Sequence, residues 1–254
     1  MGKEVSTEEF AEICLALQNK GAENINLVTP SHHIPKIAAG LLEAKKKGLN
    51  IPICYNSSGY ESVEYLQMLE GLVTIWLPDL KTLNSALSKE LCAAEDYPEV
   101  AKKAVSWMIS KNPLKFQTIT KNGEQKDKLL QGVIIRHLFL PGRFEETAEV
   151  LGWLKENADS KALLSLMNQY TPVPFAENPE KLKIRREKLK SIENRLVSAT
   201  EDEDLQDLIS AFDFEYLFYQ ELSTDTDWLP DFQKKQPFSN KLAKPVWHWN
   251  YGFI

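Results

Sequence analysis

The sequence predicts an α/β protein built on a parallel, barrel-like sheet, and three observations carry that expectation. Short apolar runs recur along the first two thirds of the chain, at residues 25–28, 51–55, 72–77, 133–140 and 162–167. Amphipathic helical patterns separate most of them, which is the spacing that parallel strands need for their crossovers. Each run is closed by Pro, Gly, Asn or Ser, so polar groups collect just past the strand ends, where ligands sit in folds of this kind. Read together, the five runs alternate with helices as a partial barrel does.

The elements follow in order. Ser6 with Glu9 is a capping-box signature, so a helix is expected over 7–20. Gly21 ends it, and the strand 25–28 closes on Thr29-Pro30-Ser31-His32-His33. The helix 34–47 stops at Gly48 with three lysines in its last turn, as the helix dipole favours. The run 51–55 is closed by Asn56-Ser57-Ser58-Gly59, a helix spans 62–69, and the run 72–77 is closed by Pro78-Asp79-Leu80-Lys81. Pro98 introduces a helix over 97–110. Residues 112–130, rich in Lys, Gln, Thr and Gly, interrupt the pattern as an excursion before the strand 133–140. A helix over 145–157 and the strand 162–167, closed by Asn168-Gln169-Tyr170, complete the alternation.

After Thr171 the composition changes. Residues 181–190 are basic, 201–204 are acidic, and Leu182, Leu189, Ile192 and Leu196 suit one helix face. Both charge runs read as solvated faces. The aromatic, Pro-punctuated end, from Trp228 and Phe232 to Trp247 and Trp249, is expected to fold back over the sheet as an irregular cap. The division expected is a barrel over 1–172 and a helical and aromatic extension over 173–254.

Size and charge bound the function. A chain of 254 residues accommodates one large α/β domain. The net charge of −6, from 36 acidic against 30 basic residues, gives no electrostatic reason to expect a nucleic-acid partner. No apolar run approaches the roughly 20 residues of a membrane span, and the start has no signal-peptide core, so no membrane association and a cytoplasmic home are expected. Cys14, Cys54 and Cys92 are too widely separated for a metal or redox motif and read as two core thiols and one partly buried thiol.

Several residues could carry chemistry. Leu77, Asp79 and Lys81 share one side of an extended segment, and a carboxylate beside an ammonium makes a clamp for a zwitterion. A salt-bridged surface turn is the equal alternative. Asn56, Ser57 and Ser58 supply short donors and acceptors suited to ribose hydroxyls, with Gly59 permitting close approach, or they form a turn with capping serines. Arg136 and His137 form a polar pair within an apolar run, which is costly to bury without partners. Arg136 suits an anionic ligand group, and His137 suits a structural pairing. His32-His33 reads as a turn with one helix-capping His.

The segments NINLVTPSHH, GLNIPICYNSSGYESVEYLQMLEG, Trp76-Leu77-Pro78-Asp79-Leu80-Lys81, DYPEVAKKA, IIRHLFLPG and SLMNQYTP together resemble radical SAM proteins related to pyruvate formate-lyase-activating enzyme, in the branch of activase homologues. The resemblance runs from Met1 to about Pro172 and extends to the WLPDF and LAKPVWHWNYGFI segments. It implies a partial (β/α) barrel that binds S-adenosylmethionine and a [4Fe–4S] cluster and abstracts hydrogen through a 5′-deoxyadenosyl radical. It implies further that Asn56, Ser57 and Ser58 line the adenosyl-ribose region and that Asp79 and Lys81 hold the methionine end, with Arg136 nearby. Thr29 falls where the family contacts the methionine amine through backbone, although the usual Gly-Gly-Glu is absent. A protein or peptide substrate such as a glycyl-radical enzyme, and a flavodoxin or ferredoxin reductant, are implied in the same way.

The cluster of that family needs three cysteines in a C-x-x-x-C-x-x-C loop. Cys14, Cys54 and Cys92 cannot form it, so the chain reads as N-terminally truncated, without the first strand and the cluster loop. An unpaired sheet edge should follow, with reduced stability or association. Three functions are therefore carried forward: a radical SAM enzyme inactive as this chain; a remnant or split half that needs a partner chain; and a barrel aldolase with Lys81 as Schiff-base nucleophile and Asp79 as proton shuttle.

Overall fold

The computed structural model describes residues 3–121, 123–172, 179–188, 190–222, 245–248 and 250–253. Ser6 opens the first helix, its Oγ accepting from the Glu9 N–H at 3.1 Å, and α1 runs over Thr7–Asn19. The chain then alternates through β1 (Ile25–Val28), α2 (Ile34–Lys46), β2 (Ile53–Ser57), α3 (Val63–Gln67), β3 (Ile75–Pro78), α4 (Ser85–Cys92) and α5 (Tyr97–Lys111). There follow β4 (Lys115–Lys121), β5 (Glu124–Leu138), α6 (Phe144–Asn157), β6 (Leu163–Met167), α7 (Pro179–Lys188), α8 (Ala199–Phe212) and β7 (Leu217–Gln220). A small antiparallel pair, β8 (Trp247–His248) and β9 (Gly252–Phe253), ends the described chain.

The main sheet has the order β1-β2-β3-β5-β6-β7, parallel throughout, with β4 antiparallel on the first half of β5. This is the α/β partial barrel that the sequence predicts. Its two faces differ. Tyr55 pairs with Trp76 across β2 and β3, both fully buried, and Trp76 meets Trp107 of α5 edge-on at 5.6 Å. That parity, continued by Val133, Ile135 and His137, therefore packs against the helices, where burial of large side chains contributes about 1.5–3 kcal/mol each. The opposite parity carries Val28, Asn56, Leu77 and Arg136 and is only partly covered.

Several expectations are corrected. Residues 112–130 are not a loose excursion: most of them form the β4–β5 hairpin, paired from Lys115↔Gln131 to Lys121↔Glu124. Its polar sequence shows no apolar alternation, because backbone pairing rather than burial holds it. The strand expected over 72–77 begins at Ile75, since Leu72 and Val73 both donate to the Leu69 carbonyl and extend the end of α3. The strand 51–55 shifts to take in Asn56 and Ser57. A sixth parallel strand, β7, lies beyond the five expected, and its alternate residues are exposed. The single helix face of Leu182, Ile192 and Leu196 is not formed, because α7 ends at Lys188; Leu189 is outside the described residues.

The C-terminal aromatics reach α1. Trp247 Nε1 donates to Glu9 Oε1 at 3.0 Å, and Lys20 Nζ donates to the Pro245 carbonyl at 3.3 Å. Trp228, Phe232 and Trp249 lie outside the described residues.

At the other boundary of the sheet, β1 pairs only with β2 among the described residues. Ile25 and Thr29 donate to Pro52 and Asn56, so the intervening Asn26 and Val28 turn their backbone groups outward. Val28 is 66% exposed, and a groove of about 670 Å³ runs alongside, lined by Phe10, Val28, His33 and Ile37 among others. No helix among the described residues is long and apolar enough to cross a membrane.

Candidate functional site

The ends of β2, β3 and β5 bring four of the residues singled out from the sequence into one polar constellation. Arg136 Nη2 lies 2.7 Å from both Asn56 Oδ1 and Asp79 Oδ1, and its Nε donates to Asp79 Oδ1 at 2.8 Å. Lys81 Nζ donates to the other carboxylate oxygen of Asp79 at 2.8 Å. The register explains the meeting: Asn56 pairs with Leu77 and Asp79 bridges Arg136, so all three side chains leave the sheet on the less covered face. The constellation holds two cations against one carboxylate, an arrangement suited to a ligand bearing both a carboxylate and an ammonium.

The neighbouring residues take other places. Ser57 points to the opposite, buried side, where its hydroxyl donates to Glu61 Oε2 at 3.2 Å and accepts from the Gly59 N–H at 3.2 Å. Ser58 contributes its carbonyl, which receives the Tyr97 hydroxyl at 2.9 Å. Thr29, just past β1, donates its N–H to the Asn56 carbonyl at 2.8 Å and has φ of 53°. A β-branched residue in the left-handed region is strained by about 1–2 kcal/mol, so the end of β1 is held there by its surroundings.

Two residues of this region are missed by sequence reasoning. Glu61 is buried and accepts from Ser31 Oγ at 2.5 Å as well as from Ser57; burial raises its pKa above the usual carboxylate value, against the pull of those two hydroxyls. Its only sequence signal is an acid set inside YNSSGYES. Tyr97 carries none beyond its place in DYPEV, yet its hydroxyl touches two of the strand ends.

His137 takes the structural role expected of it. Its Nδ1 lies 2.7 Å from the Leu80 carbonyl, which can only accept, so Nδ1 carries the proton and Nε2 accepts from Thr147 Oγ1 at 2.9 Å. Burial lowers its pKa to about 4. The histidines at 32 and 33 lie ring to ring at 4.2 Å, and His33, at the N-cap of α2, makes no side-chain capping bond, which corrects that expectation.

The cysteines do not fit an iron–sulfur cluster. Cys14 is on α1, Cys54 within β2 and Cys92 at the end of α4, and no three metal-ligating side chains come together among the described residues. Burial pushes the Cys14 and Cys54 thiols up to about 11, which disfavours the thiolate a metal requires.

No protein-family model matches the chain. It is 29% identical over 154 residues to an uncharacterized protein of Methanocaldococcus jannaschii, an alignment covering 59% of this chain and 38% of that one. The chain thus spans well under half of that relative. Among solved structures it is similar to a domain of pyruvate-formate lyase-activating enzyme from Bacteroides vulgatus, at 10% identity and a TM-score of 0.50, over 78% of this chain and 98% of that one. It is also similar to Streptococcus suis SuiB. With SuiB bound to S-adenosylmethionine the identity is 14% and the TM-score 0.54, over 87% of this chain and 42% of that one. With SuiB bound to its precursor peptide SuiA they are 14% and 0.56, over 86% and 43%. At such identities the likeness is one of fold alone, a partial α/β barrel shared with these structures.

Proposed function

We propose that this chain binds S-adenosylmethionine across the ends of β2, β3 and β5, as an activase-like radical SAM protein acting on a peptide or protein. The observation that carries the reading is the Asp79 carboxylate held between Arg136 and Lys81 on the less covered face of a radical SAM-type barrel. Asp79 would take the α-ammonium of the ligand, and Lys81 and Arg136 its carboxylate. Asn56 and Ser58 would lie toward the ribose, with the Thr29 backbone flanking the amine. Ser57 would act through Glu61 rather than on the ligand. S-adenosylmethionine held there would supply a sulfonium whose one-electron cleavage gives methionine and a hydrogen-abstracting 5′-deoxyadenosyl radical, with the electron coming from a donor that this chain's own cysteines do not provide. The peptide or protein substrate is suggested by SuiB and its precursor peptide.

A second reading is favoured by two observations: the scattered cysteines and an edge of β1 that has no partner strand among the described residues. On that reading the chain is one part of an assembly whose other part supplies the cluster ligands and a further strand. The aldolase reading loses ground, because a Schiff-base lysine needs a desolvated amine, whereas Lys81 is 41% exposed and ion-paired. Isothermal titration with S-adenosylmethionine tests the proposal. Saturable binding is expected, together with a substoichiometric cluster after anaerobic reconstitution of this chain alone; absence of binding would overturn the proposal.

A further inference from the structure

Two strand-end segments, those after β2 and β3, converge on a buried phenol that does not itself join the charged constellation. Tyr97, the first residue of α5, is 1% exposed. Its Oη lies 2.9 Å from the carbonyl oxygens of both Ser58 and Asp79, and it accepts from the Lys81 N–H at 3.0 Å. One proton is shared by two carbonyls and a lone pair takes an amide, so the hydroxyl is fully committed to backbone. Tyr60 stacks on the ring at 5.9 Å and donates to Asp96 Oδ1 at 2.6 Å, closing the outer side.

The same contact region is as tight as backbone allows. Gly59 has φ of 76°, and a Cβ there would stand 2.5 Å from the Asp79 carbonyl oxygen and 3.7 Å from the Tyr97 hydroxyl. A polar chain leads onward to β1: the Gly59 N–H to Ser57, Ser57 to Glu61, and Ser31 to Glu61. The loop bearing Asn56 and Ser58 and the turn bearing Asp79 and Lys81 are thus held to one another through atoms that face away from solvent.

We propose that Tyr97 is the positioning residue of the candidate site, its hydroxyl setting the separation between the Asn56–Ser58 loop and the Asp79–Lys81 turn. A ligand that spans both segments feels that separation, whereas a ligand that touches one does not. The inference rests on the S-adenosylmethionine reading for its ligand but not for its geometry.

Tyr97→Phe removes the hydroxyl and keeps the ring. Hydrogen exchange should show the Lys81 amide opening about tenfold faster or more, with the amides of β5 and β6 unchanged. Affinity for S-adenosylmethionine should fall about tenfold, while 5′-methylthioadenosine, which lacks the amino-acid end, should bind as before. Equal weakening of both ligands would indicate a general structural role and overturn the proposal, as would an unchanged Lys81 exchange rate. If the native chain does not bind S-adenosylmethionine, the functional reading fails, and the Lys81 exchange rate alone judges Tyr97.

Discussion

Asp79 and Arg136 meet twice where β3 and β5 run out. Their backbones form a parallel bridge in register with the Trp76↔Val133 pair, and Leu80 donates to the Arg136 carbonyl at 2.8 Å. Their side chains then close an ion pair of 2.7 Å with less than a third of either exposed. A charge pair anchored by sheet register is held more closely in place than a pair on free surface side chains.

Replacing Asp79 with Asn should separate stability from binding. The variant leaves Arg136 and Lys81 without their shared counterion, at a cost of about 1–2 kcal/mol for a partly buried pair. Thermal denaturation measures that loss. Titration should show affinity for S-adenosylmethionine falling more than tenfold, and a variant that binds like the native chain would remove Asp79 from the site.

Stability should fall on mild acidification, and His137 should be the reason. Its folded pKa of about 4 lies below the ordinary 6.5, so only the unfolded chain takes up the proton between those values. The stability it contributes is present above pH 6.5 and lost as the pH falls toward 4, by about 3 kcal/mol at most. Glu61 acts in the opposite sense: its raised pKa keeps the folded state protonated just above 4.5, so its contribution is lost as the pH rises there. Urea midpoints from pH 4 to 7 should therefore show a flatter profile for His137→Gln and a steeper acid decline for Glu61→Gln.

Gly59→Ala should be among the most damaging single-atom-scale changes in the chain. It forces an L-residue into φ of 76° and drives its Cβ to 2.5 Å from the Asp79 carbonyl oxygen, which is backbone and cannot swing away. A loss of about 2 kcal/mol or more is expected from the conformational term plus the clash. Alanine at Gly21, where a Cβ meets nothing within 4 Å, isolates the conformational term alone. Equal losses at the two positions would show that the close approach at Gly59 is not rigid.

The β1 edge should make the chain self-associate. Two outward-facing backbone positions, without a partner strand among the described residues and beside an exposed Val28, are a template for pairing with another strand. Sedimentation should show an apparent mass rising with concentration, and Val28→Lys should suppress it without lowering the melting temperature. A native chain of constant monomer mass would show that the edge is protected in solution.

Helix limits were legible from local signals in α1, α2 and α5, whereas α4, capped by Asn84, and α8, with its Ser198–Glu201 capping box, are not among the expected elements. Ser6 caps α1, Gly48 follows α2, and Pro98 sits in the first turn of α5, and each acts within one turn of the residues it punctuates. Asp79, Lys81, Asn56 and Arg136 were legible as candidates because a polar group at the end of an apolar run must find a partner. The other misses depend on a partner distant in sequence. The β4–β5 hairpin has no apolar period, and β7 is four half-exposed residues that become a strand only by lying beside β6. A two-residue shift in the end of β2 placed Asn56 and Ser57 inside the strand, where alternation sends them to opposite faces.

By itself, then, the sequence determined the alternation of helices and strands, the polar strand ends and the dispersal of the cysteines, because periodicity, capping and spacing are written in neighbouring residues. The tertiary structure alone decided that Arg136 clasps Asp79 and Asn56, that Ser57 turns to a buried Glu61, and that Tyr97 ties Ser58 to Asp79 and Lys81. Those contacts join residues up to 80 positions apart, and a hydrogen bond's destination is set by sheet register and helix packing rather than by the residue that makes it.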